Sequence, residues 1–215
     1  MTTAFRTKLN KLYNKLLKMA GIVENTIQLS VEGLRTLNPS IAEKVIKDDD
    51  IVDNLEHELE VECLSLLATQ QPLAKDLRLV GATLKVITDL ERIADHAVDI
   101  SETTLSLQDQ KLIKPLIDIP RMAEHAVQML HEAVSALIDE DLELARKVID
   151  DDDFLDDLNT QIFHELLIIM MSEPRTIGQS MQLLMVSMYL ERIGDHATNV
   201  AEWVYYIVEG KKPKK

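Results

Sequence analysis

The segment AEKVIKDDDIVDNLEHELEVE at residues 42–62 returns as ARKVIDDDDFLDDLNTQIFHE at residues 145–165, with 10 of 21 positions identical. A second pair, LERIADHAVDISE at 90–102 and LERIGDHATNVAE at 190–202, keeps 8 of 13. The offsets are 103 and 100, so the later copy lacks three residues between the blocks, most simply in the turn near Pro72 and Pro174. Upstream, Met19-Ala20 pairs with Met122-Ala123, again at 103. A repeat of about 100 residues is too long for a solenoid and fits a small domain duplicated in tandem.

Within each copy the apolar residues recur at helical spacing, with few breakers between them. The pattern predicts helices over 5–37, 41–70 and 74–107, then over 117–139, 142–172 and 176–208. Asn38-Pro39-Ser40 ends the first, because the residue before a proline avoids the helical region. Ser40 with Glu43 makes a capping-box pattern for the second. Pro72, Pro115, Pro120 and Pro174 are expected at the other turns. Short loops make neighbouring helices antiparallel. The expected fold is therefore all-α: two tandem three-helix bundles related by internal duplication. The first is placed at 1–110 and the second at 111–209, with a disordered basic tail at 210–215.

Composition supports this and narrows the function. The chain has 215 residues, 46% of them hydrophobic but only 4% aromatic, so the core must be Leu, Ile, Val, Met and Ala. Strands draw on aromatic and β-branched residues, so that mixture favours helices. The net charge of −14 argues against nucleic acid as a partner, since phosphate binding needs a basic face. It suits a cation or a basic partner. The longest apolar run, Leu166 to Met171, is far too short to span a bilayer. The N-terminal segment is basic, but Phe5, Leu9, Leu12, Leu16 and Ala20 keep helical spacing, as in an ordinary bundle helix. The single Cys63 makes no internal disulfide and, among Leu64, Leu66 and Leu67, reads as a buried packing residue.

The candidate chemistry lies in carboxylate stripes. Glu91, Asp95 and Asp99 are spaced i, i+4, i+8 and span about 80° of a helix. Leu90, Ile93, Ala97 and Ile100 fall on the opposite side, toward the core. The last helix repeats the stripe with Glu191, Asp195 and Asn199. The second helix carries Asp49, Asp53, Glu56 and Glu60 on one face; its copy keeps Asp152 and Asp156, but Asn159 and Phe163 replace the last two acids. Like charges at i, i+4 cost about 0.2–0.5 kcal/mol per pair, which a bound cation or basic partner would relieve. Carboxylate oxygens suit magnesium, manganese, calcium and iron. An acidic helix face is usually just solvated, but a duplicated fold needs its core repeated, not its exposed acids. Arg92 and Arg192 are expected to pair with these acids. His96 and His196 are expected as hydrogen-bonding partners rather than ligands. The chain has no phosphate-cradling glycine loop, no G-x-S-x-G, no H-E-x-x-H and no Glu-x-x-His pair of the di-iron bundles.

On these residues the sequence resembles the PhoU family of phosphate-transport accessory proteins. The family's E(D)-x-x-x-D motif matches Glu91/Asp95 and Glu191/Asp195, and again Asp49/Asp53 and Asp152/Asp156. The segments Tyr189 to Asn199 and Gln71 to Arg78 are also similar to the family, and the likeness covers nearly the whole chain. The resemblance implies a non-enzymatic, cytoplasmic, homodimeric bacterial protein that represses phosphate uptake and the phosphate-starvation response. It would do so by linking the ATPase subunit of the phosphate ABC transporter to a sensor histidine kinase at the membrane. It also implies metal ions on the motif acids, with Asp99 on the same stripe: iron, manganese, magnesium or zinc, multinuclear in some members. The second copy has Asn199 for Asp99 and no equivalents of Glu56 and Glu60, so the two faces are expected to differ in metal occupancy or partner. Two other readings are a carboxylate-rich metal protein for storage or redox work, and a structural adaptor with merely solvated acids.

Overall fold

The computed structural model describes residues 3–213, with side chains from Phe5 onward. Among the described residues the chain forms six α-helices: α1 (Thr3–Thr36), α2 (Pro39–Gln70), α3 (Lys75–Leu107), α4 (Asp118–Asp139), α5 (Leu142–Ser172) and α6 (Ile177–Glu209). A 3₁₀ turn at Pro174–Thr176 precedes α6. No helix end lies more than two residues from its expected place.

The ends have local causes. Asn38 is extended (φ −95°, ψ 104°), and its Oδ1 accepts from the Ser40 N–H at 3.0 Å. Asn38 is thus the cap of α2, not Ser40 with Glu43 as the sequence pattern suggested. Proline's fixed φ and missing donor suit the first helical position, so the helix starts at Pro39 and the cap moves back before it. Asp141 caps α5, its Oδ1 accepting from the Glu143 and Leu144 N–H groups at 2.9 and 3.1 Å. Pro120 falls in the first turn of α4 rather than in the loop before it, where its absent donor would have had no partner.

Helices α1, α2 and α3 pack on one another, as do α4, α5 and α6. In addition α3 packs along α6 and α1 on α4, so the two bundles share one continuous hydrophobic core. The residues assigned to the core side of the motif helices are all fully enclosed: Leu90, Ile93, Ala97 and Ile100 on α3, and Leu190, Ile193, Ala197 and Val200 on α6. Burying each Leu, Ile or Val contributes about 1.5–3 kcal/mol. That orientation turns Glu91, Asp95, Glu191 and Asp195 toward the flanking helices and solvent.

The connection between the bundles, residues 108–117, is held by Gln179 of α6, a buried side chain. Its Oε1 accepts from the Ile113 N–H at 2.6 Å, and its Nε2 donates to Gln110 Oε1 and the Lys111 carbonyl at 3.1 and 3.2 Å. At the other end, Gly210 takes φ 81° and closes α6 by bonding to the Tyr206 carbonyl. Arg78 donates to the Ile207 carbonyl from Nε and Nη2, at 3.3 and 2.9 Å. Lys212 sits 4.1 Å above the Trp203 ring and 2.9 Å from Glu202. Lys212, in the segment expected to be disordered, thus packs on α6. Lys214 and Lys215 lie outside the described residues.

Candidate functional site

In the first unit α2 and α3 lie against each other, and their acids stand in each other's field. The Asp49 carboxyl is pushed up to about 6, by burial first and then by the charges of Asp53, Asp95 and Asp50. Glu91 is pushed up to about 7 by burial and by Asp95; Arg92 opposes this, while Glu56 and Asp53 across the gap on α2 add to it. Glu56 is raised too, by burial, Glu60 and Asp53. Burial disfavours a charge, and a like charge nearby disfavours it further, so the face holds protons that isolated carboxyls would have released.

Arg92 is the local counter-charge, as expected. Its Nη1 lies 2.9 Å from Asp95 Oδ2, and its Nε 3.3 Å from Glu91 Oε2. The second contact is not aligned as a hydrogen bond, and Glu91 Oε2 stays buried without a hydrogen-bond partner. A buried acceptor left in that state typically costs about 1–3 kcal/mol.

The second unit repeats the arrangement with fewer charges. Glu191 on α6 is raised by burial, by Asp195, and by Asp156 and Asp152 of α5. Here Leu155 of α5 packs directly over Gly194 of α6. A Cβ on Gly194 would come within 2.4 Å of Leu155 Cδ1 and 3.4 Å of Asp152 Oδ1. The equivalent positions of the first unit hold Ala94 and Val52, both buried, so the larger side chain is lost from one helix and a methyl gained on the other.

Eight of the nine acids singled out from the sequence thus form two facing sets: Asp49, Asp53, Glu91 and Asp95, and Asp152, Asp156, Glu191 and Asp195. Asp99 is placed differently. Its Oδ2 is 3.3 Å from His96 Nδ1, and its charge adds to burial in raising the Tyr189 hydroxyl on α6. It belongs to the seam between the bundles. Among the described residues no three His, Cys, Asp or Glu side chains come together as a ready-made metal site. The donor chemistry nevertheless fits a hard cation: carboxylate oxygens only, crowded enough to hold protons, one of them buried with an arginine beside it but no hydrogen bond. A cation between the helices would draw the two rows together.

The seam is the part that the sequence did not disclose. His196 Nδ1 lies 2.9 Å from Asp89 Oδ1, an α6-to-α3 contact. On the other side of the pseudo-twofold, His96 stacks on Tyr189 with ring centroids 5.7 Å apart. The two imidazoles are 6.0 Å apart. Both histidines therefore serve as hydrogen-bonding and packing partners. Asp89 and Tyr189 occupy equivalent positions, just before the Leu-Glu-Arg of each copy, and their difference was the available signal.

Comparison with known proteins agrees with this architecture. The PhoU domain model matches twice, at residues 16–104 and 119–204. The chain is 38% identical over 209 residues to the phosphate-specific transport system accessory protein PhoU homolog of Clostridium acetobutylicum, covering 97% of this chain and 95% of that protein. It is likewise 38% identical over 204 residues to the Aquifex aeolicus homolog, covering 95% and 92%. The crystal structure of PhoU from Pseudomonas aeruginosa superposes with a TM-score of 0.92 at 32% identity, over 96% of this chain and all of that one. The phosphate transport system regulatory protein PhoU from Streptococcus pneumoniae does so at 0.90 and 25% identity, over 98% of this chain. On the strength of two domain matches, near-complete relatives and a shared six-helix fold, the chain belongs to the PhoU family, whose named relatives are accessory and regulatory proteins of phosphate transport and not enzymes.

Proposed function

We propose that this chain is a cytoplasmic negative regulator of phosphate uptake and of the phosphate-starvation response. It acts by contact, joining the ATPase subunit of a phosphate ABC transporter to a sensor histidine kinase, and it works as a homodimer. The observation that carries the reading is the match of both PhoU domains along nearly the full length of named phosphate-transport accessory proteins. Two features are consistent with it. Among the described residues no helix is long and apolar enough to cross a membrane, so contact with a membrane complex would run through partners. The acidic faces lie on the outside of a rigid bundle, where a partner can reach them.

In the same reading, metal ions on the two facing sets adjust those surfaces. Asp49, Asp53, Glu91 and Asp95 would hold them in the first unit, and Asp152, Asp156, Glu191 and Asp195 in the second. Iron, manganese, magnesium or zinc would supply positive charge that neutralises the rows and fixes the spacing of α2 from α3 and of α5 from α6. Support comes from Glu91, whose buried Oε2 lacks a hydrogen bond.

Affinity capture of the tagged full-length chain from its own cells, in high and in low phosphate, tests the regulatory reading. The expected result is co-recovery of a transporter ATPase or a sensor kinase, with phosphate changing the yield. Recovery of the chain alone, carrying iron, would overturn it in favour of a metal storage or redox protein.

A further inference from the structure

The acidic face of the second unit continues into an apolar one. Phe163, Leu167 and Met171 on α5, and Ile177, Met181 and Met188 on α6, are between 39% and 77% exposed. Phe163 follows Asp156 by seven residues and Met188 precedes Asp195 by seven. Seven residues are about 20° short of two turns, so each belongs to the same stripe as the acid. The fields of Asp152 and Asp156 on Glu191 place those two stripes on the same side of the α5–α6 pair. One half of this face is therefore anionic and the other half apolar.

The first unit keeps only part of this patch, with Leu64 and Leu77 exposed but none of its Phe or Met residues. At the equivalent positions it carries Glu60, Leu64 and Ala68 on α2, and Leu77, Gly81 and Thr88 on α3, with Lys85 where the second unit has Met185. Folding needs are the same in both copies, so the added Phe and Met residues are not required by the bundle. Clustered large apolar side chains at the surface mark contact sites, and methionine adapts to varied partners. The patch runs along nine residues of α5 and twelve of α6, about 12–16 Å, or roughly three turns of a helix laid along the groove.

The charges beside it select the occupant. An anionic membrane surface would be repelled by Asp156, Glu191 and Asp195. A second copy would bring its own net charge of −14 and the same acids. We propose that this face binds an amphipathic helix of another protein. Its apolar stripe lies on Phe163, Leu167, Met181 and Met188, and its Lys or Arg residues lie about two turns further along, over Asp156 and Glu191. This docking belongs to the metal-free second unit, because a cation on Asp156 and Glu191 would compete with the helix's Lys and Arg residues.

The test is fluorescence anisotropy with the full chain in EDTA. The probe is a labelled 18-residue Leu/Lys peptide with leucines at helical spacing; the control has the same composition in strict alternation. The helical peptide is expected to bind about tenfold more tightly than the control. Met185→Lys with Met188→Thr, both residues that the first unit carries, should weaken it about tenfold. Phe163→Glu, a second exchange toward the first unit, should do the same, with circular dichroism reporting intact helix content. Asp156→Asn with Glu191→Gln should weaken binding and flatten its salt dependence. Equal binding of both peptides, or unchanged affinity in these variants, overturns the proposal. So does a sedimentation result in which the free chain is a dimer and the Met185→Lys/Met188→Thr variant is a monomer, since a second copy then covers the face.

Discussion

Asp89 of α3 and His196 of α6 are joined across the seam at 2.9 Å, while their pseudo-symmetric counterparts, Tyr189 and His96, stack ring on ring instead. One sequence difference between the copies converts a hydrogen bond into an aromatic contact at the same place. The two bundles are thus locked by different chemistry on either side of the local axis. Both Asp89 and His196 are mostly enclosed, so the bond is shielded from water. Asp89→Ala is expected to lower unfolding stability by about 1–3 kcal/mol, since it leaves the imidazole N–H without its acceptor. The midpoint of a urea transition, compared with that of the wild-type chain, checks this.

The contact between Gly194 and Leu155 predicts a coupling. Gly194→Ala would gain about 1 kcal/mol of helix propensity but forces a methyl against a fully buried leucine. Leu155→Val alone leaves space. Together they recreate the Ala94/Val52 arrangement of the first unit. The double variant should be more stable than the sum of the singles by at least about 1 kcal/mol, in a double-mutant cycle read from denaturant midpoints. Strict additivity would mean that the close approach carries no strain when filled.

The crowded acids of the first unit predict an inverted pH response. Glu91 titrates near 7 and Asp49 near 6 in the folded chain, both above their ordinary values of 4.5 and 3.8. Between those limits the folded state binds more protons than the unfolded one, so this contribution to stability falls as pH rises through 7 and is regained as pH falls toward 5. In EDTA, Glu91→Gln should stabilise the chain at pH 8 and flatten the slope between pH 5 and 8. Thermal melts across that range decide it; a variant with the wild-type slope would show that Glu91 is not the source.

If cations occupy the facing acids, they must raise the stability of the folded chain, by an amount that grows with concentration over Kd. At a hundredfold excess over Kd the expected gain is about 2.7 kcal/mol. Manganese or iron(II) added to EDTA-stripped protein should raise Tm, and Glu91→Gln/Asp95→Asn should remove the part due to the first unit. Glu191→Gln/Asp195→Asn should remove the remainder. A Tm indifferent to metal would leave the faces as solvated acids.

Cys63 is fully buried, and its thiol is pushed up to about 12 by burial, with Glu62 and Glu60 adding to the effect. The thiolate is the reactive form. A disulfide reagent such as DTNB at pH 8 should therefore release no thiolate chromophore from the native chain, and one equivalent once urea unfolds it. Rapid reaction of the native protein would place Cys63 at an accessible site rather than in the core.

The helices, their number and the duplication were legible in the sequence because they rest on local rules. Apolar spacing at 3.6 residues per turn, a proline at or near every break except the one at Glu140-Asp141, and a shared offset need no knowledge of neighbours. The same periodicity set Leu90, Ile93 and Ala97 inward, and so turned Glu91 and Asp95 outward as one stripe. What it could not supply was which stripe meets which. That α3 runs along α6 and fuses two bundles into one core, that His196 reaches Asp89, and that Gly194 sits beneath Leu155 are contacts between residues dozens of positions apart. Only packing fixes them. The raised carboxyls of Asp49 and Glu91 belong to the same class, because a pKa depends on burial and on charges brought in by another helix. Sequence placed the acids; the tertiary structure decided that they face one another.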